Sequence, residues 1–275
     1  SLCLTFRNRR RCRPVAQDNV TDDVSGHRRH RWLIADGAAA VRDGFREGNR
    51  ALAEGAWRRW GFVIGIGYVI CIALTVAVTE TAQAMQLQPW DREVLIAIGR
   101  DGPVGIVNAV AFESAGNIVF LSPVTLVTAI IAARRRLSLE AVTVVVSYAL
   151  QRPLILLGWA LWDRARPDVI LDGALAPGFH AFPSGHAALS LSVYGFLSYL
   201  WVRSSRSPVE RLLAVLLPAA VVLVVGHARL ALGTHWPSDV LASWLIGLVW
   251  LATVIVAVEV ARRGRRSRGS PPASR

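Results

Sequence analysis

The chain contains no lysine, so all 31 side chains of the Lys/Arg class are arginine, and the formal net charge is +12. Charge is nevertheless scarce: charged residues make up 18% of the chain, against about a quarter in soluble domains. That shortage excludes a water-facing surface over most of the molecule. Cysteine is scarce as well, and Cys3, Cys12 and Cys71 show no paired spacing. A disulfide framework or a cysteine metal site is therefore not expected. A basic chain invites a nucleic-acid reading. Here the arginines cluster just outside apolar blocks, which is how membrane proteins signal orientation, so no nucleic-acid partner is expected.

What is abundant is apolar sequence. Hydrophobic residues make up 53% of the chain, in blocks too long for the core helices of a soluble domain. Six of these blocks, 61–79, 104–133, 141–161, 184–202, 212–228 and 237–260, lie near the roughly 20 residues that cross a bilayer core. The fold read from them is an all-α polytopic membrane bundle with six transmembrane helices over residues 61–260. Glu113 falls within the second block, where a carboxylate needs a partner on a neighbouring helix. Residues 1–31 are Arg-rich, lack an apolar period and lack the order of a signal peptide, and are expected to be disordered. Residues 32–60 mix small apolar residues with Arg, Asp and Glu and read as an amphipathic helix at the membrane surface. Residues 261–275 read as a basic, disordered cytoplasmic tail.

The arginines orient the bundle. Arg58 and Arg59 precede the first block, Arg134, Arg135 and Arg136 follow the second, and Arg203, Arg206 and Arg211 follow the fourth. Arg262, Arg263, Arg265, Arg266 and Arg268 follow the sixth. Six crossings put all of these on one face, which the positive-inside rule makes cytoplasmic. Both termini are then inside. The opposite, extracytoplasmic face holds few arginines, and three of them, Arg164, Arg166 and Arg229, belong to the chemistry described next.

On that face lie Arg164-Ala165-Arg166-Pro167, then Phe182-Pro183-Ser184-Gly185-His186, then Arg229 with His235 and Asp239 in the frame R-x5-H-x3-D. A planar guanidinium suits the charged oxygens of a phosphate. The second motif begins an apolar block, so free backbone N–H groups at a helix N-terminus point toward the pocket. Gly185 lets a phosphate approach the backbone, and Ser184 adds a hydroxyl donor. Pro237 fits a first helical turn, from which the Asp239 carboxylate can reach an imidazole nitrogen of His235 and fix its tautomer.

These motifs resemble those of the superfamily of type 2 phosphatidic acid phosphatases and vanadium haloperoxidases, in its membrane lipid phosphatase branch. The family's signatures are K-x6-RP, PSGH and SR-x5-H-x3-D. Here the first reads Trp159-x6-Arg166-Pro167, the second is intact, and the third reads Ala228-Arg229-x5-His235-x3-Asp239. The resemblance implies that His235 attacks phosphorus to form a phosphohistidine, that Asp239 orients it, and that His186 protonates the leaving oxygen and then activates water. It implies phosphate contacts from Arg166, Arg229, Ser184 and Gly185, with Arg164 as a further candidate, and it implies no metal or other cofactor. Two positions depart from the pattern, Trp159 for lysine and Ala228 for serine; Arg152 or Arg164 is positioned to replace the missing cation.

The expected function is hydrolysis of a phosphomonoester or diphosphate on a lipid, of the polyprenyl diphosphate, phosphatidic acid or phosphatidylglycerophosphate class. The expected site is the outer face of the cytoplasmic membrane, with the bilayer and a phosphorylated lipid as partners. Two alternatives use the same residues: phosphotransfer from the phosphohistidine to a lipid or sugar hydroxyl, and a degenerate member that binds lipid without cleaving it.

Overall fold

The computed structural model describes residues 22–101, 106–169 and 180–263. Among them every regular element is a helix. The chain divides into two compact units, residues 1–40 and 41–275. In the first, the described part is helical, the start of α1 (Asp22–Arg50). This helix begins within the stretch expected to be disordered. Within that stretch Arg28, Arg29 and Arg31 are helix-favouring residues that need no periodic apolar face. Residues 1–21 and 264–275, to which the other expectations of disorder apply, lie outside the described residues.

In the second unit, the last turns of α1 rest on the connection between two later helices, α5 (Ile118–Arg134) and α6 (Ser138–Leu161). Val41 and Phe45 pack on Ala132, Ala133 and Ala141. Gly44 and Gly48 allow that approach, since a Cβ at either would lie about 2.5 Å from the carbonyl oxygen of Ala133 or Arg136. Part of the expected interfacial helix is thus a packed element.

The remaining helices are α2 (Ala56–Ala84), α3 (Gln88–Asp101), α4 (Ile106–Ser114), α7 (Gly185–Ser204), α8 (Pro208–Ala231) and α9 (Pro237–Arg263). Among the described residues, five helices are long and apolar enough to cross a membrane: α2, the α4–α5 run from Asn108 to Arg134, α6, α8 and α9. Phe62, Val69, Val119, Val127, Leu213 and Leu241 are exposed on their outer faces, as bilayer-facing side chains are. The protein is a multi-pass membrane protein. The fourth expected block, α7, is more polar because it is enclosed. It packs against α5, α6, α8 and α9, and none of its residues from Gly185 to Leu200 is exposed. It therefore needs no apolar outer face.

Small residues set the interhelical distances. A Cβ at Gly67 would lie 2.1 Å from the Thr253 side chain, at Gly195 2.3 Å from Leu251, and at Gly226 2.3 Å from Trp244. α9 thus seats the side chains of Thr253, Leu251 and Trp244 against glycines of α2, α7 and α8, where dispersion and not water release holds helices together in lipid. Trp250, fully buried on α9, donates its indole N–H to the Ser147 carbonyl at 3.0 Å and meets Tyr68 edge-on. At the end away from the motifs, Arg262 pairs with buried Glu140, and Arg203 pairs with Glu259. These contacts fix the lower register of α6, α7 and α9.

Two features of the fold differ from the sequence expectation. The second apolar block is interrupted: α4 ends at Ser114, and Asn117 caps α5 by accepting the Val119 N–H at 3.0 Å. Between blocks one and two, α3 is an added helix that packs on α8 and α9.

Candidate functional site

The motifs converge because four helix ends meet there: α6 and α8 finish, and α7 and α9 begin. Gly158 seats α6 against the second motif, since a Cβ at that position would lie 2.3 Å from Pro183 Cδ. The next residue, Trp159, donates its indole N–H to the Pro183 carbonyl at 3.1 Å and stacks on His180 at 5.5 Å. Where the family pattern has lysine, this chain thus has a strut for the PSGH turn. His180 also pairs with Asp163 at 3.0 Å.

Behind the motif end lies a cavity of about 200 Å³. Its wall includes His186, His235, Gly185, Arg166 and Arg229, together with Arg152 and Trp159 from α6 and Gly116 and Asn117 from the α4–α5 break. Among the described residues that line it are two imidazoles and three guanidiniums but no carboxylate. Such a wall selects an anion with several oxygens.

His235 lies in the short loop between α8 and α9 and is 3% exposed. Its Nδ1 is 2.7 Å from the Ala181 carbonyl oxygen. A carbonyl only accepts, so the proton sits on Nδ1 and the lone pair on Nε2. Burial holds the imidazole well below its usual pKa, and the Arg229 and Arg166 charges push it the same way. His235 is therefore neutral at pH 7, the form a nucleophile needs. His186, in the first turn of α7, has its Nε2 buried without a protein partner among the described residues.

Asp239 lies 3.7 Å from His235 Nδ1, farther than the Ala181 carbonyl. Its Oδ2 accepts the Trp236 N–H at 2.7 Å, and its Oδ1 accepts from Arg164 at 2.5 Å. Arg164 also donates to Asp91 at 2.6 Å, and Asp91 accepts both the N–H and the hydroxyl of Ser238. The guanidinium lies 4.6 and 5.5 Å from the ring centres of Trp162 and Trp236. Arg164 is thus engaged by two buried carboxylates and is not among the residues lining the cavity, unlike its expected position as a phosphate contact. The reason is electrostatic: two buried carboxylates, Asp91 and Asp239, hold the Arg164 guanidinium, whereas Arg166 has no ion pair among the described residues and lines the cavity.

Arg166 is half-buried, with its Nε unpartnered among the described residues. Burial lowers its pKa, while the nearby Asp239 opposes that shift. Arg229, at the end of α8, ion-pairs with Glu113 of α4. The carboxylate within the second block therefore has the partner it requires, and that partner is a motif arginine. Gly185 lines the cavity, with nothing closer than 3.8 Å to a Cβ built there, so the space it leaves is open to a ligand. Ser184 is fully buried and does not line the cavity. Its N–H donates to the Asp239 carbonyl at 3.4 Å, and its hydroxyl has no protein partner among the described residues. Ala228 is buried against Ala109 and Leu232.

The sequence reading missed Asp91, the Ala181 carbonyl and the Gly116–Asn117 break. Asp91, following Pro89 in the first turn of α3, carried a helix-start signal, but no signal for its partners. A backbone carbonyl has no residue signature at all.

Residues 140–263 match the PAP2 superfamily. Among solved structures, the fold is similar to a transmembrane PAP2 type phosphatidylglycerolphosphate phosphatase from Bacillus subtilis, at 20% identity and a TM-score of 0.60, covering 70% of this chain and 96% of that one. It is also similar to Aquifex aeolicus LpxE, at 19% identity and a TM-score of 0.47, covering 61% of this chain and 93% of that one. No curated protein matches the chain in sequence. Residues 140–263 thus resemble the PAP2 superfamily, with PSGH and R-x5-H-x3-D inside the matched region and residues of both motifs lining one cavity.

Proposed function

We propose that this protein is an integral-membrane phosphatase that removes a terminal phosphate from a lipid at the extracytoplasmic face of the cytoplasmic membrane. The observation that carries the reading is the cavity wall: a neutral His235, a second imidazole on His186 and the guanidiniums of Arg166 and Arg229 surround one anion-sized space.

In the first step His235 Nε2 attacks phosphorus. An N–P bond forms, the P–O bond to the lipid breaks, and the leaving oxygen takes a proton from His186, which is protonated when the negatively charged phosphate lies beside it. Arg166 and Arg229 hold the equatorial oxygens, on which charge is spread as the bond breaks. In the second step neutral His186 takes a proton from water as its oxygen attacks phosphorus. The N–P bond breaks, phosphate leaves, and both imidazoles return to their starting forms. Asp239 stands behind His235, where it stabilises the positive charge the ring acquires while bonded to phosphorus. In this scheme the arginines supply the charge stabilisation that a metal ion supplies elsewhere.

The test is phosphate release by purified protein from polyprenyl diphosphate, phosphatidic acid and phosphatidylglycerophosphate. A His235→Ala variant is expected to lose at least about 10³-fold in kcat, as loss of a nucleophile does. Full activity in that variant would overturn the mechanism. Label found on a second lipid in place of free phosphate would establish transfer instead of hydrolysis. Lipid binding by the wild type without phosphate release would establish a binding protein.

A further inference from the structure

One cation on the cavity wall has no place in this two-step chemistry. On α6, Arg152, Ile155, Leu156 and Trp159 line the cavity at the spacing of a single helical stripe. From Trp159 to Arg152 is seven residues, roughly 10 Å along the axis at 1.5 Å per residue. α6 ends at Leu161, just before the loop that carries Arg166, so Arg152 lies on the bilayer side of the attacked position. It is exposed, and among the described residues it has neither an ion pair nor a hydrogen bond. Its neighbours on the wall include Leu156, 50% exposed, and Ile118 of α5, 37% exposed. The cavity therefore has an apolar side toward lipid, with a bare guanidinium in it. A charge at such depth is costly unless an anion or water meets it.

A lipid that enters through this side brings its terminal phosphate to His235 and leaves its tail in the bilayer. Whatever joins the two must pass the α6 stripe. We propose that Arg152 grips the inner phosphate of a lipid carrying two phosphates in series, and so makes this site prefer a diphosphate to a monophosphate. The proposal rests on the phosphatase reading above. It also separates two cation roles: Arg166 and Arg229 serve the phosphate that leaves, and Arg152 serves the phosphate that stays. Guanidinium is suited to the second task because its planar fork pairs with two oxygens at once.

The experiment compares a polyprenyl diphosphate with the monophosphate of the same tail, using wild type, Arg152→Gln and Arg152→Lys. The ratio of kcat/KM for diphosphate over monophosphate is expected to fall 10- to 100-fold in Arg152→Gln and to recover in part in Arg152→Lys. An equal loss on both lipids would overturn the proposal, because Arg152 would then serve the attacked phosphate as the missing lysine does in the family. No loss on either lipid would overturn it too, leaving only a headgroup contact. Equilibrium binding of the two lipids to the same proteins provides a readout independent of turnover. Failure of folded wild type to release phosphate would remove the phosphatase reading. The inner-phosphate contact would still stand or fall on whether Arg152→Gln loses the preference for binding diphosphate.

Discussion

Two arginines separated by one residue do different work in this site, and substitution should tell them apart. Arg164 neutralises buried Asp91 and Asp239. Removing a partner from a buried ion network leaves uncompensated charge and typically costs about 3–5 kcal/mol. Arg166 has no ion pair among the described residues, and its guanidinium faces the cavity. Arg164→Leu is therefore expected to lower the thermal unfolding midpoint in detergent strongly. Arg166→Leu is expected to leave that midpoint near wild type while lowering kcat/KM by about 10²-fold or more. Thermal unfolding and steady-state kinetics on both variants check this, and equal destabilisation by the two would sink the distinction. Sequence alone named both arginines but could not divide the roles. Asp91 lies 73 residues before Arg164, and nothing in the spacing R-x-R says which guanidinium meets it. The histidines and Asp239 were legible because motif spacing keeps them at fixed helix ends. The acceptor on His235 Nδ1 was not, since it is a main-chain carbonyl.

At the scale of elements, catalytic geometry depends on how closely α6 approaches the PSGH turn. Gly158 permits the approach, and Trp159 fastens it. A methyl group at position 158 would lie 2.3 Å from a proline ring carbon, which has no rotamer through which to withdraw. Gly158→Ala must therefore move α6 or the turn by a substantial part of an ångström. Since a misplacement near 1 Å can cost about 10²-fold in rate, kcat is expected to fall at least tenfold. The comparison is Gly61→Ala, on a helix face where a Cβ meets nothing within 4 Å. Steady-state kinetics on the pair decide it; equal activity would show that the turn is not held by this contact. Most long helices were readable as apolar blocks. The α4–α5 break was not, because the stretches on both sides are mostly apolar and a 20-residue window averages across Gly116 and Asn117. α7 was readable as a helix from its length, although its enclosure by four helices was not.

At the scale of the whole molecule, the distribution of arginine should decide which way the bundle faces. The motif end holds Arg164, Arg166 and Arg229, of which Arg164 and Arg229 are in ion pairs and Arg166 and Arg229 line the cavity. The other end carries Arg134 at the end of α5 with Arg135 and Arg136 after it, Arg203 in the last turn of α7, Arg206 between α7 and α8, and Arg262 and Arg263 at the end of α9. Short loops rich in arginine resist translocation, so this end is expected in the cytoplasm and the cavity outside. Single cysteines read this out in a chain where Cys3 and Cys12 are replaced by serine. Cys71 is fully buried and stays. Asp168, with its side chain 85% exposed, reports the motif end, and exposed Ser204 reports the other. Asp168→Cys should react with a membrane-impermeant maleimide in intact cells, whereas Ser204→Cys should react only after the membrane is opened. The reverse pattern would put the cavity in the cytoplasm. The substrate would then be a lipid of the inner leaflet, and the guanidiniums of the site would meet its headgroup from the cytoplasmic side.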